Sequence, residues 1–158
     1  MRVVATASFL FVSALALQQC RPAPATESAA DGSQPAFKAV ATTDQLMDAI
    51  VIPNAQAIWD AVIYENGKLV TAPNTDDDWY NLQMKAFAVA EAGNLLKIGQ
   101  RAKDTGDWMK FSTALTDRSM EAVRAAERKD LDGLITAGGN VYNVCTDCHR
   151  QYVMPDAP

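Results

Sequence analysis

The chain has 158 residues, 19 acidic against 14 basic side chains for a formal charge of −5, one histidine and three cysteines. An acidic chain without a basic stripe excludes nucleic acid as a natural partner. The length suits one domain with a single core.

Residues 1–19 read as a signal peptide. Arg2 is their only charge, and Val3 to Leu17 is an uninterrupted run of apolar and small residues, too short for a comfortable membrane span of ~20 residues. The mature chain is therefore expected in the periplasm. Two processing sites compete: Ala14-Leu15-Ala16 offers the small-x-small pattern, whereas Leu17-Gln18-Gln19-Cys20 has the leucine and cysteine of a lipobox but not its usual small residue before the cysteine. Lipidation would consume Cys20, the odd thiol in an oxidising compartment. The protein is thus expected to be soluble or tethered through Cys20. Residues 20–42, rich in Ala, Pro and Ser, read as a flexible spacer.

Residues 43–155 carry four helix-length segments. The first, TTDQLMDAIVIPNAQAIWDAVIYEN, opens at a Thr/Asp cap and repeats apolar residues at three- and four-residue spacing. Pro53 inside it is expected to kink the helix and to leave the Ala49 carbonyl without its donor. NGKLVTAPN then reads as loop. The second segment starts at Thr75, with Asp76, Asp77 and Asp78 where the helix dipole favours negative charge. The third places Trp108, Phe111, Leu115, Met120, Val123 and Ala126 on one face. The fourth, residues 130–153, carries Gly138 and Gly139, each costing about 1 kcal/mol of helix propensity, which suggests close packing against a flat ring or another backbone. No stretch alternates as a half-buried strand should. The expected fold is all-α, an antiparallel up-down-up-down four-helix bundle, with residues 156–158 as a tail.

The chemistry is concentrated in VCTDCHRQY. Cys145, Cys148 and His149 form Cys-x-x-Cys-His, the pattern for covalent haem c attachment, in which each thiol adds to a vinyl group and the histidine ligates iron. On a helix the three side chains share one face. A zinc site would need further ligands and has no second Cys pair or histidine. A thioredoxin-like dithiol prefers a helix N-terminus, and this motif lies late in a helix. A plain disulfide strains its geometry in continuous helix.

A CxxCH near the C-terminus, on the last of four helices of an exported acidic domain, resembles the class II cytochromes c, the cytochrome c′ family. The resemblance covers residues 43 to 153 and rests on CTDCH with Tyr152 three residues after the histidine. It implies a haem enclosed by the bundle, Cys145 and Cys148 as thioether anchors and His149 as proximal iron ligand. Many members have a basic residue directly after that tyrosine. Here it is Val153.

In this family the sixth position is supplied, where it is supplied, by the first helix. Met47, near the start of that helix, resembles the arrangement of the low-spin members, and Met84, Met109 and Met120 are competing thioethers. Trp59, Trp79 and Trp108 read as packing residues. The expectation is a monohaem electron carrier rather than an enzyme, with redox proteins bearing a basic docking patch as partners and a homodimer compatible with the family. The alternative is a cytochrome that binds or senses nitric oxide or carbon monoxide at an open or displaceable sixth position.

Overall fold

Thr42 begins the helical part of the chain: its hydroxyl accepts from the Gln45 backbone N–H at 3.2 Å while the Gln45 side chain accepts from the Thr42 N–H at 3.0 Å, a reciprocal capping box. The structure is a computed structural model that describes residues 37–154. Residues 1–19, read above as a signal peptide, Cys20, residues 20–36 of the expected spacer and residues 156–158, the expected tail, lie outside the described residues.

From this cap run α1 (Thr43–Leu46), a π-helical turn (Met47–Val51) and α2 (Ile52–Trp59), without interruption. Pro53 sits in the first turn of α2, where a missing N–H is tolerated. The expected kink takes the form of the wide turn just before it, in which the Ile52 N–H reaches back to the Met47 carbonyl. The Asn54 side-chain amide donates to the Ile50 carbonyl at 2.6 Å and so serves one of the acceptors the irregular turn disturbs.

The segment after Asp60 corrects the sequence reading. Instead of a longer helix and a loop, the chain forms an antiparallel hairpin, β1 (Ile63–Glu65) and β2 (Lys68–Thr71). Asn66 and Gly67 both take positive φ, 51° and 77°, which is what a two-residue type I′ connection requires and what Asn-Gly supplies. Every residue of both strands is exposed, so no face alternates in burial and the periodic signal never arises.

α3 (Asp76–Leu95) begins at Thr75 with a second capping box, closed by Asp78. α4 (Asp107–Glu127) has Gly106 at its N-cap and borrows its cap from Asp104, whose carboxylate accepts from the N–H groups of Gly106 at 2.7 Å and Trp108 at 3.2 Å. α5 (Leu131–Tyr152) starts at Asp130, which accepts from the Gly133 N–H. The fold is mostly helical with one small hairpin.

Helix packing runs α2 on α3, α3 on α4, α4 on α5 and α5 back on α2. Val89, Ala122, Leu134 and Val141 are among the buried side chains of the core they enclose. α3 and α4 approach closely at Gly93, where an added Cβ would lie 2.6 Å from the Ser112 carbonyl oxygen and run into the Thr116 hydroxyl. Gly138 packs as expected against a flat ring, with Trp59 Cδ1 3.4 Å from the position of a Cβ. Gly139 faces open space and owes nothing to packing.

Candidate haem site

Three helical elements and the end of a fourth converge on one apolar cleft. α5 contributes Val144, Cys145, Cys148 and His149; the first helical run contributes Met47, Val51, Ile52, Ala55 and Trp59. α4 adds Trp108 and Phe111, and the chain just past α3 adds Leu96. The space between the walls, open side included, is ≈ 630 Å³.

The walls are apolar because their polar atoms are satisfied elsewhere. Trp59 Nε1 donates to the Gly138 carbonyl at 3.0 Å and Trp108 Nε1 to the Leu96 carbonyl at 2.9 Å. The Ser112 hydroxyl donates back to the Trp108 carbonyl at 2.8 Å. Each indole therefore ties two helical elements together and leaves carbon to face the cleft. Both tryptophans had read as packing residues only. Their indoles act as walls of the site, whereas Trp79 is buried in the core.

Cys145 and Cys148 are free, half-buried thiols. Burial pushes the Cys145 thiol up to about 11, with Cys148 adding to the effect, and burial raises Cys148 too. A thiolate-based redox centre needs the opposite shift. His149 is exposed at the mouth of the cleft. Among the described residues no group of three or more His, Cys, Asp or Glu side chains is arranged to hold a bare metal ion.

Met47, Cys145, Cys148 and His149, which are about a hundred residues apart in the chain, line the same cleft. The competing thioethers do not line it: Met84 is exposed on α3, while Met109 and Met120 pack against the core from α4. Met47 occupies the first position of the π turn.

The end of α5 is clamped beside the cleft. The Tyr152 hydroxyl donates to Asp104 Oδ2, and the Tyr152 ring meets Trp108 edge-on at 5.0 Å and Phe111 at 6.3 Å. Desolvation, reinforced by the Asp104 carboxylate, pushes the Tyr152 phenol up to about 12, while the Tyr152 hydroxyl is the main cause holding Asp104 below the usual carboxylate range. Asp104 thus caps α4 and tethers the turn that follows His149. Val153 is exposed, and Arg150 pairs with Asp147 at 2.9 Å on the outer face.

The cleft fits the group its motif implies. Two thiols one helical turn apart can anchor a porphyrin edge, an imidazole stands on the same helix, a thioether faces them from the first helix, and indole and aliphatic carbon supply flat apolar walls. No protein-family model, curated protein or solved structure matches the chain, so the functional reading stands on these residues and their motif.

Proposed function

We propose that the protein is a monohaem c-type cytochrome of the class II kind, its helices forming an antiparallel up-down-up-down bundle, and that it carries single electrons in the periplasm or at a membrane surface. The observation that carries this reading is the convergence of Met47 on the cleft that holds Cys145, Cys148 and His149. Haem c, when attached, supplies the one-electron chemistry at its iron.

The chain's own residues do the rest. Cys145 and Cys148 would hold the group through thioethers from one face of α5, and His149 would present imidazole nitrogen from the next turn. Met47 offers a thioether from the opposite wall, a ligand that favours the reduced state. Trp59, Trp108, Leu115 and Val51 line the cleft and would exclude water from the bound group. The Tyr152–Asp104 clamp fixes the end of α5 and with it the direction of the imidazole. The acidic surface suits a redox partner with a basic patch.

The test is covalent attachment. Cys145→Ala and Cys148→Ala should each weaken haem staining on a denaturing gel, and the double variant should abolish it. Undiminished staining in the double variant would remove the assignment.

A gas-binding role is the second reading, favoured by the apolar wall of Val51, Ile52 and Ala55 beside Met47, which would accept a small neutral molecule. Rapid carbon monoxide binding by the reduced wild-type protein would select it over electron transfer.

A further inference from the structure

The two ends of the helical domain differ in charge and in apolar exposure. The cleft marks one of them, since it gathers Met47 from the start of the first helical run, Leu96 from just past α3, Trp108 from the start of α4 and His149 from the last turn of α5. The other ends meet on their own side. Asp76 at the start of α3 pairs with Lys129 beyond α4, and Val62 beyond α2 shares a small groove with Leu134 at the start of α5.

At that far end Asp60, Asp77, Asp78 and Asp132 have no ion-pair partner among the described residues. At the cleft end the unpaired groups are largely cations: Lys38, Arg101 and Lys103 line one groove, with Asp44 as its carboxylate. Asp104, next along the chain, is taken up by the Tyr152 hydroxyl and by the N–H groups of Gly106 and Trp108.

Apolar side chains stand beside these cations. Val40, Phe37 and Val153, at 85%, 68% and 65%, are the most exposed large apolar side chains among the described residues. Phe37 and Val40 flank Lys38 in the groove, and their segment lies on the loop between α3 and α4, where a Cβ at Gly99 would meet the Ala39 methyl at 3.6 Å. Val153 follows Tyr152, which bonds Asp104 beside Lys103. Lysines interleaved with exposed apolar groups suit a lipid interface, where ammonium groups meet phosphates and apolar groups enter the boundary beneath them.

The point of attachment agrees with that surface. Phe37 lies 17 residues after Cys20, the residue read as a possible lipid anchor, and a chain of that length reaches at most roughly 60 Å. An anchor at Cys20 would therefore hold this end of the domain close to the bilayer.

We propose that the cleft end of the domain is a membrane-docking face, on which Lys38 and Lys103 meet anionic phospholipid headgroups while Phe37 and Val40 enter the interface beside them. The inference rests on the reading that the protein works at a membrane surface, and it orients the molecule there. The acidic far end points away from the bilayer, and the cleft lies within reach of a membrane-borne electron donor or acceptor.

Two experiments keep the premise and the proposal apart. The mass of the native N-terminus tests whether Cys20 is acylated. Docking is tested without an acyl group, on the mature chain carrying Cys20→Ser and secreted behind a signal peptide of the small-x-small kind. The probes are vesicles of phosphatidylcholine alone or mixed equally with phosphatidylglycerol. This chain should sediment with the mixed vesicles roughly tenfold more tightly than with the neutral ones, and high salt should release it. Lys38→Glu with Lys103→Glu should remove most of that preference. Lys68→Glu with Lys85→Glu, an equal charge change on exposed lysines elsewhere, should cost far less. On the mixed vesicles, amide exchange should slow at residues 37–42 and 99–103 but not in the hairpin. Equal affinity for the two kinds of vesicle, equal losses in the two double variants, or slowing in the hairpin instead overturns the proposal.

Discussion

Cys145 shows how burial in the cleft sets the behaviour of a thiol. Burial holds it neutral, so its contribution to the stability of the haem-free chain is complete below its ordinary value of 9.0 and is lost as pH rises through about 11. Alkylation of the haem-free chain should therefore be slow at neutral pH, accelerate above about 9 and reach Cys148 before Cys145, as peptide mapping would read. Modification of Cys145 first, at neutral pH, would contradict the structure. Met47 carries the second prediction at this scale. Met47→Ala should convert a low-spin parent to high-spin, increase carbon monoxide binding and lower the potential, because the thioether that favours the reduced state has gone. Loss of a half-buried side chain should also destabilise the fold by about 2 kcal/mol, so spin state has to be measured on folded protein. CxxCH was legible in the sequence because its spacing is itself the chemistry. Trp59 and Trp108 were not legible as cleft walls, because an indole in a wall and an indole in a core have the same sequence signature. What separates them is the Trp59 bond to Gly138 and the Trp108 bond to Leu96, the first spanning elements far apart in the chain.

Among the elements, Thr75 caps α3 as the sequence reading placed it and Thr42 supplies the threonine of the expected Thr/Asp cap, whereas the cap of α5 at Asp130 is read from the structure. The hairpin was missed because its strands bury neither face, although Asn66-Gly67 was the available signal. The π turn before Pro53 could not be placed from sequence, since proline forbids a regular hydrogen bond without dictating how the helix absorbs the loss. Glycines that look alike in sequence separate sharply by contact. Gly93→Ala should destabilise the protein by about 1–3 kcal/mol, because its Cβ meets the backbone of α4 and cannot be accommodated by a side-chain rotation. Gly139→Ala, on the same scale, should stabilise it by about 1 kcal/mol, since nothing lies near its Cβ and only helix propensity changes. Denaturant unfolding of the two variants with haem attached would check both signs. The turn joining α4 to α5 offers a further gain. Lys129 adopts φ 55° there, beyond the end of α4, a conformation that favours glycine. Lys129→Gly should raise the thermal midpoint despite losing an exposed pair with Asp76, which contributes little.

For the whole molecule, the cleft lies where α2, α4 and α5 meet near the end of α3, and each of these elements supplies part of its wall. A group filling that space would contact all of them at once, so the haem-loaded chain should melt well above the haem-free chain. Equal midpoints would mean that the core closes without it. The most direct test of the account is an absorption spectrum of the purified ferric protein, prepared with the haem-attachment machinery and stripped of non-covalent haem. The account predicts a low-spin haem c spectrum carrying the long-wavelength charge-transfer band of iron–thioether ligation. A spectrum without haem absorption would contradict attachment at Cys145 and Cys148, and a high-spin spectrum without that band would contradict Met47 as the ligand opposite His149.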